Sequence, residues 1–182
     1  LSALIGPELV PYDPNKINMA ERLLPIGLLH PGGTDEFGRD IFSRILSGSR
    51  VAFGVSVLSV GLSSIVGGLI GLIMGFYRGT ADYVLSRVVD AFQAFPAVLL
   101  AIAVAAILGP SISTVIISIG IVGVPAVARV TRGSVLQIMA MDYVEAARAV
   151  GIRSRFIMLR TIIPNIIPPL IIQLSYLALL LQ

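Results

Sequence analysis

The chain has 182 residues, of which 56% are hydrophobic and 13% charged, with a formal net charge of +3 and a mean hydropathy of +0.95. A soluble domain carries about 25% charged residues, so the composition excludes a soluble enzyme or nucleic-acid-binding module and indicates an all-α integral membrane protein. With no cysteine, disulfides and thiolate metal sites are also excluded.

Residues 1–50 read as an extracytoplasmic segment. Leu1-Ser2-Ala3-Leu4-Ile5 lacks the basic leader of a signal peptide, and a first residue other than Met implies that the natural start lies upstream. Residues 1–10 read as the tail of an earlier span, followed by a turn cluster at 11–15. In 30–40, HPGGTDEFGRD, Gly32, Gly33 and Gly38 supply tight turns and Asp40 is placed to cap a helix. Ile41, Phe42, Ile45 and Leu46 then face away from Ser43, Arg44 and Ser47, as on an amphipathic helix lying along the interface. His30, Asp35 and Asp40 fit no standard metal spacing, and turn and cap chemistry accounts for both acids.

The membrane domain, residues 51–182, opens with a span at 51–77, about 40 Å long at 1.5 Å per residue and sufficient for a hydrocarbon core of about 30 Å. Ser59, Ser63, Gly67, Gly71 and Gly75 recur every fourth residue, a small-residue stripe suited to close helix packing. A short connection at 77–87 leads to a second span at 88–108. There Asp90 is expected to pair with Arg87 at the interface, a transport role being the alternative for an acid in a membrane segment, and Pro96 to kink the helix or loosen its hydrogen bonding. Residues 109–111 turn the chain without charge. A third apolar block, 112–128, ends at Arg129 and Arg132. Thr114 and Ser118 share one side of it, where they either face a translocation path or bond to their own helix.

Residues 139–164 cannot cross a bilayer. Asp142, Glu145, Arg148, Arg153, Arg155 and Arg160 fall within them, and each charge at the membrane centre costs about 2.5–3.5 kcal/mol. The segment reads as a water-facing helix, turn and helix. Asp142 caps the first helix with Glu145 in the capping-box position, Gly151 stops it, Ser154 caps the second and Pro164 bounds or kinks it. A further span begins at 166, broken early by Pro168 and Pro169. Residues 1–50 hold five basic groups and six acids, whereas the rest hold eight Arg and four acids, the Arg residues confined to 78–87 and 129–160. The positive-inside rule puts 139–164 in the cytoplasm and the N-terminal segment outside.

Three stretches carry a family resemblance. Residues 139–164 resemble the EAA loop of binding-protein-dependent ABC importer permeases: Glu145, Ala146, Ala147, Gly151 and Pro164 match, while Thr161 and Ile163 replace the usual Ile and Leu. Residues 30–40 resemble the H-P-x-G-T-D-x-x-G-R-D segment of C-type permeases of the dipeptide, oligopeptide and nickel branch. Asp90 with Phe95 and Pro96 resembles that family's M-D-x-x-x-x-F-P element, with Val89 in place of Met. The resemblance implies a polytopic helical bundle of the type I importer permease kind, with about four of six spans present. It implies a coupling loop in which Asp142, Tyr143, Glu145, Ala146, Ala147, Arg148, Gly151, Arg153 and Pro164 engage an ATPase. The implied partners are a second permease subunit of the B type, two ATP-binding subunits, an extracytoplasmic solute-binding protein and membrane lipid, in a prokaryotic inner membrane. No phosphate loop, dinucleotide motif or nucleophile–base pair is present, and His30 stands alone. The chain is therefore expected to bind no metal or cofactor, ATP and Mg belonging to partner subunits, and to hydrolyse nothing itself. An ion-coupled transporter or channel is the competing expectation; it requires acids near mid-bilayer, and Asp90 alone approaches that.

Overall fold

A computed structural model describes residues 10–180, which form helices and loops and, among the described residues, no strand longer than an isolated bridge between Thr34 and Asp40. The chain divides into two compact units, up to Val55 and from Ser56. The boundary falls inside α1, Ile41–Tyr77. The interfacial helix expected at 41–47 is thus the first two turns of the first span: nothing between Ser47 and Val51 breaks helical hydrogen bonding.

Loop chemistry governs the first unit. Asp35 accepts the Phe37 and Arg39 backbone N–H groups at 2.9 and 3.0 Å and Arg39 Nε at 2.7 Å. Asp40 caps α1 as its position predicts, Oδ2 accepting Ser43 N–H at 2.7 Å while Oδ1 lies 2.9 Å from His30 Nδ1. Burial pushes the Asp40 carboxyl up, but hydrogen bonding from Ser43 and His30 outweighs it and holds the group below the usual carboxylate range. At Asp35 burial likewise pushes the carboxyl up, but the Arg39 and Phe37 hydrogen bonds outweigh it and hold the group below the usual range. Gly38, at φ +72°, lies against Asn18: a Cβ there would sit 1.7 Å from the Asn18 carbonyl oxygen. Among the described residues no three metal-ligating side chains converge.

In the second unit, α4 (Ile112–Met139) is the helix on which the others pack. Gly109, at φ +80°, turns the chain, and Ser111 accepts the Thr114 N–H at 3.0 Å to start it. The small-residue stripe of α1 meets the carbonyl row of α4 in a constant register. Ser59 Oγ donates to Ile116 O at 3.2 Å and Ser63 Oγ to Gly120 O at 2.7 Å. A Cβ on Gly67 would lie 2.7 Å from Val124 O, on Gly71 2.3 Å from Ala128 O, and on Gly75 3.1 Å from Arg132 O. Both rows advance four residues at a time in the same chain direction, so α1 and α4 run parallel. The alternation of spans read from the charges requires the same.

Two connections differ from expectation. Helix α2, Gly79–Ala94, begins after the single residue Arg78 (φ 51°), where an eleven-residue connection is expected. It ends at Phe95–Pro96, beyond which α3, Ala97–Leu108, sets off at 93°. Pro96 therefore separates two helices, since it lacks an N–H and forces Phe95 into an extended conformation. Among the described residues three helices are long and apolar enough to cross a membrane, or four spans if the α2–α3 pair counts as one. Pro168 and Pro169, expected to break the last span, lie inside α7, Ile163–Leu180, which continues through them.

Candidate functional site: the charged bracket and the ion pairs beside it

Helix α4 ends at Ala140, and after Met141 the chain re-enters a helix, α5, Asp142–Ala149. Met141 occupies the cap position and makes no side-chain cap bond, so Asp142 is the first helical residue rather than its cap. Asp142 and Glu145 in the first turn and Arg148 in the last still complement the helix dipole. The exit is a Schellman motif: Ile152 N–H donates to Ala147 O at 3.0 Å, and Gly151 N–H to Arg148 O at 2.9 Å. Gly151 has φ +80°, and nothing lies within 4 Å of a Cβ placed on it, so backbone conformation alone demands glycine there.

The second half also departs from the sequence expectation at its start. Arg153 stands at the cap of α6, Ser154–Ile157, and Ser154 is its first residue, without a side-chain cap bond. A π-helical turn, Met158–Ile162, then leads directly into α7. Pro164 therefore lies inside a continuous helix, just past the π-helical turn, and does not bound the bracket. Ser154–Leu179 is one candidate span, so the second arm of the bracket is one end of a membrane helix.

Packing divides the bracket into two faces. Val144, Ile157 and Ile162 are fully or almost fully buried, in one cluster with Leu72 of α1, Val135, Ile138 and Met139 of α4, and Ile166 of α7. Ala147 packs against this cluster. Glu145, Ala146 and Arg148 are exposed, as are Tyr143, Val150, Ile152, Phe156 and Leu159. Arg155 and Arg160 flank the Phe156 ring, their guanidinium carbons 5.8 and 5.5 Å from its centroid. Ile152, Phe156 and Leu159 do not stand out in the sequence reading, although with Val150 they make four large apolar side chains on a charged segment, a signal for a protein-contact surface.

The remaining site residues occupy the helices above. Thr114 and Ser118 are both buried. The Thr114 hydroxyl lies 2.8 Å from Ser111 Oγ, while Ser118 Oγ has no hydrogen-bond partner among the described residues. Asp90 does not pair with Arg87, which lies over the Tyr83 ring; it accepts from Arg129 of α4 at 2.7 Å. Residues 87 and 90 share a helix face, but the guanidinium that reaches Asp90 comes from 39 residues away. Beside this pair Arg132 grips Asp82 with two nitrogens, each at 2.6 Å. Both pairs join α2 to α4, the helix that leads into the bracket.

Comparison with known proteins adds the family. The family model described as binding-protein-dependent transport system inner membrane component matches residues 67–181. A Brucella suis biovar 1 protein, provisionally named a peptide transport system permease protein, is 41% identical over 176 residues, 97% of this chain and 59% of its own length. A dipeptide transport system permease protein of Alkalihalophilus pseudofirmus is 39% identical, covering 95% of this chain and 57% of the relative. A di/tripeptide transport system permease protein of Pseudomonas aeruginosa is 39% identical, covering 94% and 58%. The chain thus spans somewhat under three-fifths of the length of these relatives.

Proposed function

The chain belongs to the binding-protein-dependent transport system inner membrane components, and from that premise we propose that it forms part of the transmembrane permease of an ATP-driven importer for peptides or related small solutes. ATP and Mg would be held, and ATP hydrolysed, on two separate ATP-binding subunits. A B-type second permease subunit would complete the pathway, and an extracytoplasmic solute-binding protein would deliver the cargo. The names of the relatives above, each a peptide, dipeptide or di/tripeptide transport permease, support the cargo class.

The bracket geometry carries the reading. A short helix with one face locked into the core and the other exposed can receive a push without collapsing. Glu145, Ala146 and the exposed ring of Tyr143 would present the docking surface of α5, and Arg148 and Arg153 would supply polar contacts. Gly151 would fix the turn. Force on that surface would pass through Val144 into α4 and through Ile157 and Ile162 into α7, two helices that run into the membrane without interruption. Asp142 would set where the first arm begins. The stripe of Ser59, Ser63, Gly67, Gly71 and Gly75 would keep α1 and α4 moving as one body, and any path-lining role for Thr114 and Ser118 would require their helix to part from its neighbours.

The test is Gly151→Val in the full-length permease assembled with its partners in proteoliposomes. The expected result is an assembled complex whose ATPase no longer responds to solute-loaded binding protein. A variant with unimpaired stimulation contradicts the coupling role.

A further inference from the structure

Between α1, α2 and α4 lies a cavity of about 310 Å³ lined by Met74, Ser86, Asp90, Arg129, Arg132 and Gly133. Its two ion pairs are built differently. Asp82–Arg132 is closed: two short bonds, with only 18% of the Asp82 and 35% of the Arg132 side chain exposed. Asp90–Arg129 is open: one bond, through a single guanidinium nitrogen, with 50% and 53% exposed. A structural tie between helices is served by the first arrangement. The second leaves carboxylate lone pairs and guanidinium N–H groups facing the cavity.

We propose that the Asp90–Arg129 pair is a binding site for the charged termini of a short peptide, the α-carboxylate on the Arg129 guanidinium and the α-ammonium on the Asp90 carboxylate. This deepens the permease reading and rests on it. An ion pair in a membrane helix is a suitable receptor for a zwitterion because the exchange leaves no charge unpaired. Each side chain gives up one opposite charge and gains another, so the penalty for an isolated charge in low dielectric is not incurred. Guanidinium and carboxylate also match in bidentate geometry. Arg132, by contrast, already has its charge paired with Asp82 through Nε and one terminal nitrogen. On the topology read from the charges the site lies toward the cytoplasmic end of α2 and α4, which makes it a stage late in inward passage.

The experiment measures binding to the full-length permease in nanodiscs, without any ATPase, by titration calorimetry with Ala-Ala. Three ligand analogues remove charges one at a time: N-acetyl-Ala-Ala, Ala-Ala-amide and the doubly capped N-acetyl-Ala-Ala-amide. Saturable binding of Ala-Ala is expected, weakened about tenfold or more by either single cap and abolished by both. Asp90→Asn and Arg129→Gln should each weaken Ala-Ala by about tenfold. A phosphatidylethanolamine headgroup offers the same pair of charges, so discs of phosphatidylglycerol alone and discs containing phosphatidylethanolamine are compared; equal affinity is expected. The proposal is overturned if Ala-Ala does not bind the folded protein, if the doubly capped peptide binds as well as Ala-Ala, if both Asp90→Asn and Arg129→Gln fold and bind unchanged, or if phosphatidylethanolamine abolishes binding. The ligand series needs no substitution and stays decisive if a variant fails to fold. Because no ATPase is present, a negative result here is separate from a negative coupling assay.

Discussion

Gly71 and Gly68 lie one turn apart on α1 and should respond to the same substitution with opposite sign. A Cβ on Gly71 would stand 2.3 Å from Ala128 O, 2.6 Å from Thr131 Cβ and 3.0 Å from the Arg132 nitrogen, and two of those three atoms are backbone. Ordinary contact begins at 3.4 Å, so α1 and α4 would have to separate by about an ångström, and overpacking of that kind costs about 1–3 kcal/mol. Separation would also lengthen the Ser59 and Ser63 bonds to the α4 carbonyls. At Gly68 nothing lies within 4 Å, and there Ala gains about 0.5–1 kcal/mol over Gly from helix propensity. Gly71→Ala should therefore fall below the parent, and below Gly68→Ala by about 1–3 kcal/mol because the propensity gain is common to both, in reversible unfolding by SDS in mixed micelles followed by far-ultraviolet circular dichroism. Equal stability of the two variants would refute the close approach of α1 to the α4 carbonyl row.

The other expectations follow from single contacts. Gly151→Ala should destabilise the bracket by about 1–2 kcal/mol, the cost of a left-handed L-residue, visible as faster amide exchange in α5 while α4 is unchanged. Arg132→Gln leaves the mostly buried Asp82 carboxylate unpaired and should cost about 1–3 kcal/mol, more than Arg129→Gln at the half-exposed pair, about 0–1 kcal/mol; a double-mutant cycle with Asp82→Asn separates the pair energy from the rest. Asp35 and Asp40 have lowered pKa values in the folded chain. Their contribution is therefore complete above the unfolded carboxylate value of about 3.9 and lost as pH falls through the folded value. Protection of the Ser43 amide should decline below about pH 4; in Asp40→Asn, which preserves the cap, that decline should be smaller.

Residue spacing reveals much of this fold, and contact geometry the rest. The four-residue repeat from Ser59 to Gly75 is visible by counting, because small side chains at helical spacing have few other uses in an apolar segment. Its counterpart on α4 is not, since a row of backbone carbonyls has no residue signature. Asp40 reads correctly as a cap because its partner N–H is three residues away. Asp142 and Ser154 do not, because residues before a helix and at its first position differ by one place and share composition. Asp90 shows the same limit for ion pairs: Arg87 is near in sequence, but the tertiary packing of α2 on α4 supplies Arg129. The turn at Gly151 is legible because the left-handed conformation that stops a helix favours glycine. The exposed Ile152, Phe156 and Leu159 are hidden among other apolar residues until burial separates them from Val144, Ile157 and Ile162.

The chain contains no cysteine, so one introduced at Ala146 gives a probe with no background from these residues. In the full-length permease assembled with its partners, this cysteine should be inaccessible to an impermeant thiol reagent added outside, and should crosslink to an ATP-binding subunit in a manner that changes with ATP. Labelling from outside, or transport of solute by a complex in which residue 146 never approaches an ATPase, would contradict the account.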